Sequence, residues 1–236
     1  MASQFSEQFF DLETYLHKTI AEDLKIPLIR ILALLNLNKI TGRTDTKEIE
    51  IITEATLRLV DSYSLSVQLY NSQMNFVREP VALKSVIYEC QNNLVDFAKL
   101  QGVKTNLNIK KSTGLAIANK KVVKSIINSL AYSMLVVASI EPKPKLNYSV
   151  SKLKNKIEVG VFSSFNQLDE AGLNKIRSSY GRVKQVLPDV VQGATAGIMI
   201  ADKLCNKLDT KLNVSKHQGM TGLVFSLNAS NQLALI

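Results

Sequence analysis

Apolar residues fall at Phe5, Phe9, Leu12, Leu16, Ile20, Leu24, Leu28, Ile31 and Leu35, in steps of three or four. That spacing puts one stripe on a single helix from Phe5 to about Asn38, and strand alternation cannot produce it. Such a helix is on the order of 50 Å long at about 1.5 Å per residue. Pro27 sits inside it. A proline there removes one backbone donor and crowds the carbonyl of Asp23, four residues back, which predicts a bend around Glu22 and Asp23.

Thr41-Gly42 ends the first helix, and Asp45 with Glu48 three residues on makes a capping signature for the next. The second helix spans about Thr46 to Asn75. Its stripe is again one-sided, running through Ile49, Ile52, Leu59, Tyr63, Val67 and Tyr70, with Thr56 filling the one gap. Two long helices joined by a short loop form a hairpin, and a pair that buries one stripe each holds too little core to stand alone. The simplest remedy is a symmetric dimer whose hairpins make a four-helix bundle; the lesser one is packing of the hairpin on the rest of its own chain.

Arg78-Glu79-Pro80-Val81 breaks the helical pattern, because the residue before a proline disfavours helix. It divides the chain into a hairpin domain, 1–77, and a second domain, 78–236. Charge divides at the same place. Residues 1–77 hold seven Lys/Arg against ten Asp/Glu, whereas residues 78–236 hold twenty-two against ten, within an overall net charge of +9. The basic half is able to attract nucleotide phosphates, nucleic acid or an acidic protein, although scattered lysines most often make only a solvated surface.

The second half changes texture. A helix from about Val81 to Leu100 ends at Gln101-Gly102, strands follow at Thr105 to Ile109 and Leu115 to Ala118, and a helix runs from Lys120 to about Ser139. Leu146 to Val150 and Ile157 to Phe162 alternate around a lysine-rich turn and read as a β-hairpin. A helix from Gly197 to about Leu208 and strands at Lys211 to Ser215 and Leu223 to Leu227 complete a two-layer α/β sandwich on a mixed sheet. No apolar run approaches membrane-spanning length; the densest is Ile31 to Leu37. The first twenty residues carry Glu7, Asp11 and Glu13 and no basic start, so no signal peptide is visible and a cytoplasmic protein is expected. Cys90 and Cys205 lack metal-ligand spacing and are expected to be reduced, buried thiols.

The octet Ala21-Glu22-Asp23-Leu24-Lys25-Ile26-Pro27-Leu28 resembles the phosphoacceptor box of sensor histidine kinases, with Leu24, Pro27 and Leu28 matching and Glu22 standing where the reactive histidine belongs. Glu79-Pro80-Val81, Gln101-Gly102-Val103 and Ile117-Ala118-Asn119 look like the entry to the ATP-binding domain of the same family. The resemblance covers about residues 10 to 228 and rests on the order of elements more than on any one motif. It implies an α+β fold, with the two-helix hairpin followed by a histidine-kinase-type ATPase-like sandwich.

The same resemblance implies lost chemistry. Asn128 keeps the first asparagine of the nucleotide-binding helix, but Tyr132 falls where the magnesium-binding asparagine belongs, and a phenol is a poor ligand for a hard cation. Ser163 takes the place of the adenine-reading aspartate, with Phe165 and Gln167 at two glycine positions. Arg182 lies in a segment similar to the family's aromatic-arginine stretch. Gly193 and Gly197 match two glycines of the second glycine box, with Thr195 between them; they imply either residual phosphate affinity or an inherited turn and helix packing. His17 and His217 are the only imidazoles. His17 lies about 140° around the helix from Glu22, and neither histidine stands in an acceptor motif. What the resemblance implies is a dimeric module without a catalytic residue or cofactor, docking a response regulator or partner kinase. The alternative is an active, divergent kinase or phosphotransferase using ATP and magnesium. Nucleic-acid binding ranks last, since no stacking aromatics interleave with the lysines.

Overall fold

The computed structural model describes residues 2–42, 46–70, 76–110, 114–138, 143–165, 168–178 and 195–230, with side chains from Leu16 onward. The first helix, α1 (Ala2–Thr41), continues through Pro27, and Gly42 follows it with φ +67°, the left-handed turn that a glycine makes without strain. The capping residue expected at Asp45 lies outside the described residues. Helix α2 (Lys47–Tyr70) returns beside α1, and Arg30 of α1 pairs with Glu48 of α2 at 2.7 Å.

After the hairpin come β1 (Glu79–Val81), α3 (Leu83–Leu100), β2 (Lys104–Ile109), β3 (Ala116–Ala118) and α4 (Lys120–Val136). The β-hairpin expected from sequence is β4 (Lys145–Leu153) with β5 (Lys156–Ser163). Next are α5 (Glu170–Ser178), α6 (Thr195–Lys207), β6 (Asn213–His217) and β7 (Met220–Asn228). Strands β2, β4, β5, β7 and β6 lie side by side in that order; β2 runs parallel to β4 and the other pairs are antiparallel. This is the mixed sheet expected.

Alternation assigns the faces. Leu146, Tyr148, Val150, Ile157, Val159, Val161, Leu223 and Phe225 are fully buried toward the helices. On the outer face Phe162, Met220 and Val224 form a small cluster of their own, beside Gly160 and Gly222. Helix α3 closes with Gly102 at φ +71°, where the Gly102 N–H donates to the Lys99 carbonyl and the Val103 N–H to the Ala98 carbonyl. Helix α4 opens on Asn119, whose side chain accepts from the Val122 N–H at 3.1 Å and donates to the Val77 carbonyl at 3.0 Å.

Two elements went unforeseen. Strand β1 pairs antiparallel with β3, so that the stretch expected only to break the helix also forms a two-stranded ribbon. Helix α5 covers its part of the core with just two buried side chains, Leu173 and Ile176, and is anchored through Arg177, which reaches Asp202 of α6 at 2.8 Å.

The hairpin does not stand apart. Ile52, Ala55, Leu59, Leu65 and Leu69 of α2 and Leu16 and Ile20 of α1 join one continuous core with α3, α4 and α6. The lesser of the two remedies for the hairpin's stripe is therefore realised within the chain. A second apolar surface remains in the later part of α1, where Leu28, Ile29, Leu32, Leu35, Leu37 and Ile40 are all exposed.

Candidate functional site

Of the residues singled out in the sequence, Tyr132 and Gly197 lie where the hairpin meets α4 and α6. Helix α4 carries Asn128 and Tyr132, β5 ends on Ser163, and α6 begins with Thr195-Ala196-Gly197. Arg182, Gly193 and Gln167 lie outside the described residues. Glu22 is on α1 with its side chain exposed; the next residue, Asp23, turns inward and is 7% exposed.

Asp23 is not an isolated buried charge. Its Oδ2 accepts a hydrogen bond from the Ala196 N–H at 2.8 Å. The first N–H groups of a helix have no partner within it, and the aligned peptide dipoles make that end favourable to an anion. A carboxylate from the hairpin thus caps the helix that follows the glycine box. Tyr132 makes a second connection. Its ring stacks on Phe97 of α3, with centroids 5.6 Å apart and planes 6° from parallel. Burial raises the phenol from its ordinary 10.0 to about 12, opposed by a hydrogen bond with the Thr56 side chain of α2 and reinforced by the Asp23 charge. The Tyr132 phenol is thereby neutral and packed between α3 and the hairpin side of α4.

Gly197 has a steric explanation. A Cβ there would lie 2.2 Å from Ser133 Oγ and 2.3 Å from the Ser129 carbonyl oxygen, so α6 rests its backbone directly on α4. Close helix packing alone requires this glycine. Asn128 Oδ1 and Ser163 Oγ, by contrast, are buried with no hydrogen-bond partner among the described residues. A buried polar atom left unpaired costs about 1–3 kcal/mol, so each marks a place that a small polar ligand or water would satisfy.

His17 is exposed, edge-on to Tyr63 at 5.8 Å, and His217 Nε2 lies 2.7 Å from Asn108 Nδ2 and beside Phe162. Among the described residues no group of three metal-ligating side chains occurs. No helix of the described residues is long and apolar enough to cross a membrane.

Sequence reasoning passed over Asp23 and Thr56 as site residues, though both left a trace. Asp23 follows Ile20 by three positions and so falls on the inward stripe, and Thr56 interrupts the stripe of α2. A polar residue on an otherwise apolar stripe needs a partner: Asp23 accepts from the Ala196 N–H across the junction, and Thr56 donates to the Ile52 carbonyl of its own helix at 2.7 Å.

No protein-family model and no curated protein matches the chain. Solved structures do. The chain is similar to the histidine kinase AdeS of Acinetobacter baumannii, with a TM-score of 0.56 and 12% identity over 89% of this chain and 98% of that one. It is similar to the histidine kinase ThkA, solved in complex with the response regulator protein TrrA, with a TM-score of 0.58 and 14% identity over 96% of this chain and 66% of that one. The catalytic domain of ThkA alone gives 0.52 and 15% over 66% of this chain and 96% of that one. The chain has the fold of a histidine kinase core, hairpin included.

Proposed function

We propose that this chain is a degenerate histidine-kinase-like protein of two-component signal transduction. It acts as a dimeric, cytoplasmic docking or regulatory module for a response regulator or partner kinase, without turning over ATP. The observation that carries this reading is Tyr132: where the resemblance puts the magnesium-binding asparagine, the chain has a buried phenol stacked on Phe97. A neutral phenol is a poor ligand for Mg²⁺ compared with an amide or carboxylate oxygen. Glu22 at the acceptor position supports the same reading, since a carboxylate is not an imidazole nucleophile.

The hairpin supplies the surfaces. The exposed stripe Ile26, Ile29, Leu32 and Ile40 repeats on one side of α1, as the seam of a four-helix bundle between two copies does. Glu22 lies on that helix, open to a partner, and ThkA, the similar kinase, is solved with its response regulator. Calorimetric titration with ATP and magnesium tests the reading. No heat and no autophosphorylation are expected; micromolar binding together with autophosphorylation overturns it.

A second reading, an active divergent kinase or phosphotransferase using ATP, draws on Asn128 Oδ1 and Ser163 Oγ, which have no hydrogen-bond partner among the described residues and which a bound base would satisfy. Incubation with labelled ATP, repeated with Glu22→Gln and His17→Ala, separates the two. Label that either substitution removes would establish the enzyme.

A further inference from the structure

Helix α6 is gripped at both poles by the hairpin side of the molecule, each time with the complementary charge. At its start the Asp23 carboxylate receives the Ala196 N–H at 2.8 Å. At its end Arg78, in the segment that leaves α2, donates to the Lys207 carbonyl at 3.1 Å and pairs with Asp209 at 2.6 Å. Lys203 and Lys207 also lie over the ring of Tyr70, the last residue of α2, at 5.2 and 5.4 Å. An anion at the N-terminal pole and a cation at the C-terminal pole both act with the helix dipole.

The two grips differ in how they are mounted. Arg78 leads straight into strand β1, which is paired along its length with β3. Asp23 is mounted on the turn that Pro27 weakens, because Pro27 has no N–H to return to the Asp23 carbonyl. The buried carboxylate therefore sits on a turn of α1 that lacks one backbone hydrogen bond, and Glu22, its neighbour, faces outward from the same turn.

We propose that Asp23 is an autoinhibitory latch: its carboxylate takes the anion position at the start of α6 and holds α1 shut against the sandwich, while the Arg78 end stays fixed as the pivot. The proposal rests on the docking-module reading, because it supplies that module's regulation. Opening the latch moves Glu22, so a partner that prefers the open position of Glu22 draws the latch open by population shift.

Hydrogen exchange of the full chain, with no partner present, tests the latch by itself. Wild type is compared with Asp23→Asn, Asp23→Ala and the outward-facing control Glu22→Gln. Both Asp23 variants are expected to speed exchange at residues 196–199 of α6 and 52–66 of α2 by roughly tenfold, leaving β4, β5 and the Arg78 segment as in wild type. Glu22→Gln is expected to match wild type. Unchanged exchange in α6 and α2 overturns the latch, and so does equal acceleration through β4 and β5 in both Asp23 variants, which would make Asp23 a requirement of the whole fold. Because no regulator or nucleotide is used, failure here leaves the docking reading standing; that reading fails separately, in the ATP titration.

Discussion

The contact between α4 and α6 and the later half of α1 are both built from apolar residues, and they end in opposite conditions. Ile126, Ile127, Leu130, Met199 and Ile200 have no exposed surface, and Gly197 brings the two backbones to the limit of approach. Leu28, Ile29, Leu32 and Ile40 are 57%, 65%, 58% and 83% exposed. At about 25 cal/mol per Å² of apolar area, a stripe of this kind left in water forgoes several kcal/mol. The first region is complete within one chain. The second has the composition of a core and no core around it, the state of a surface made to be covered.

Substitutions test that contrast, and the largest effect belongs to the sealed side. Tyr132→Ala removes a stacked ring from the junction and is expected to cost about 3–5 kcal/mol in urea unfolding. Tyr132→Phe keeps the stacked ring and loses only the hydroxyl, and is expected to cost no more than about 1 kcal/mol. Gly197→Ala drives a methyl into Ser133 and the Ser129 carbonyl and is expected to cost about 1–3 kcal/mol by the same measurement. A Gly197→Ala chain as stable as wild type would show that α4 and α6 can slide apart.

The pH dependence follows from the raised phenol. Its pKa lies above the unfolded value of 10.0, at about 12, so the stability it lends is whole below pH 10 and is lost as pH rises toward 12. Ultraviolet titration should find one tyrosine that ionises at about 12, absent in Tyr132→Phe. On the open side the effects on folding are small. Leu32→Glu is expected to change stability by no more than about 0.5 kcal/mol. The same substitution should halve the mass by light scattering, if two α1 helices meet there. Glu22→Lys is expected to leave unfolding unchanged and to weaken response-regulator binding by about 1 kcal/mol. Unfolding by Leu32→Glu would erase the contrast between the regions.

What the sequence disclosed depended on whether the signal was periodic. The hairpin, α4 and the β4–β5 pair were legible because their buried faces repeat at 3.6 or 2 residues. Strand β1 was not, because Pro80 in a three-residue strand reads as punctuation, and only its register with Ile117 makes it part of a ribbon. Helix α5 was missed because Leu173 and Ile176 alone make no stripe. Glu22, Asn128, Tyr132, Ser163 and Gly197 were singled out from the order of elements. Their surroundings were not legible: Asp23 and Ala196 are 173 residues apart, and no local pattern announces a bond of that span.

The ribbon of β1 and β3 has a consequence for how the molecule melts. Beyond the β1 register, Asn119 ties Val77 to the start of α4, the Ser230 N–H donates to the Leu115 carbonyl, and Ala116 bridges Ala229 next to β7. The path from the first helices into the sheet is thus stitched to both the middle and the far end of the chain. These contacts couple the two halves in global melting, and scanning calorimetry should record a single cooperative endotherm whose calorimetric and van't Hoff enthalpies agree.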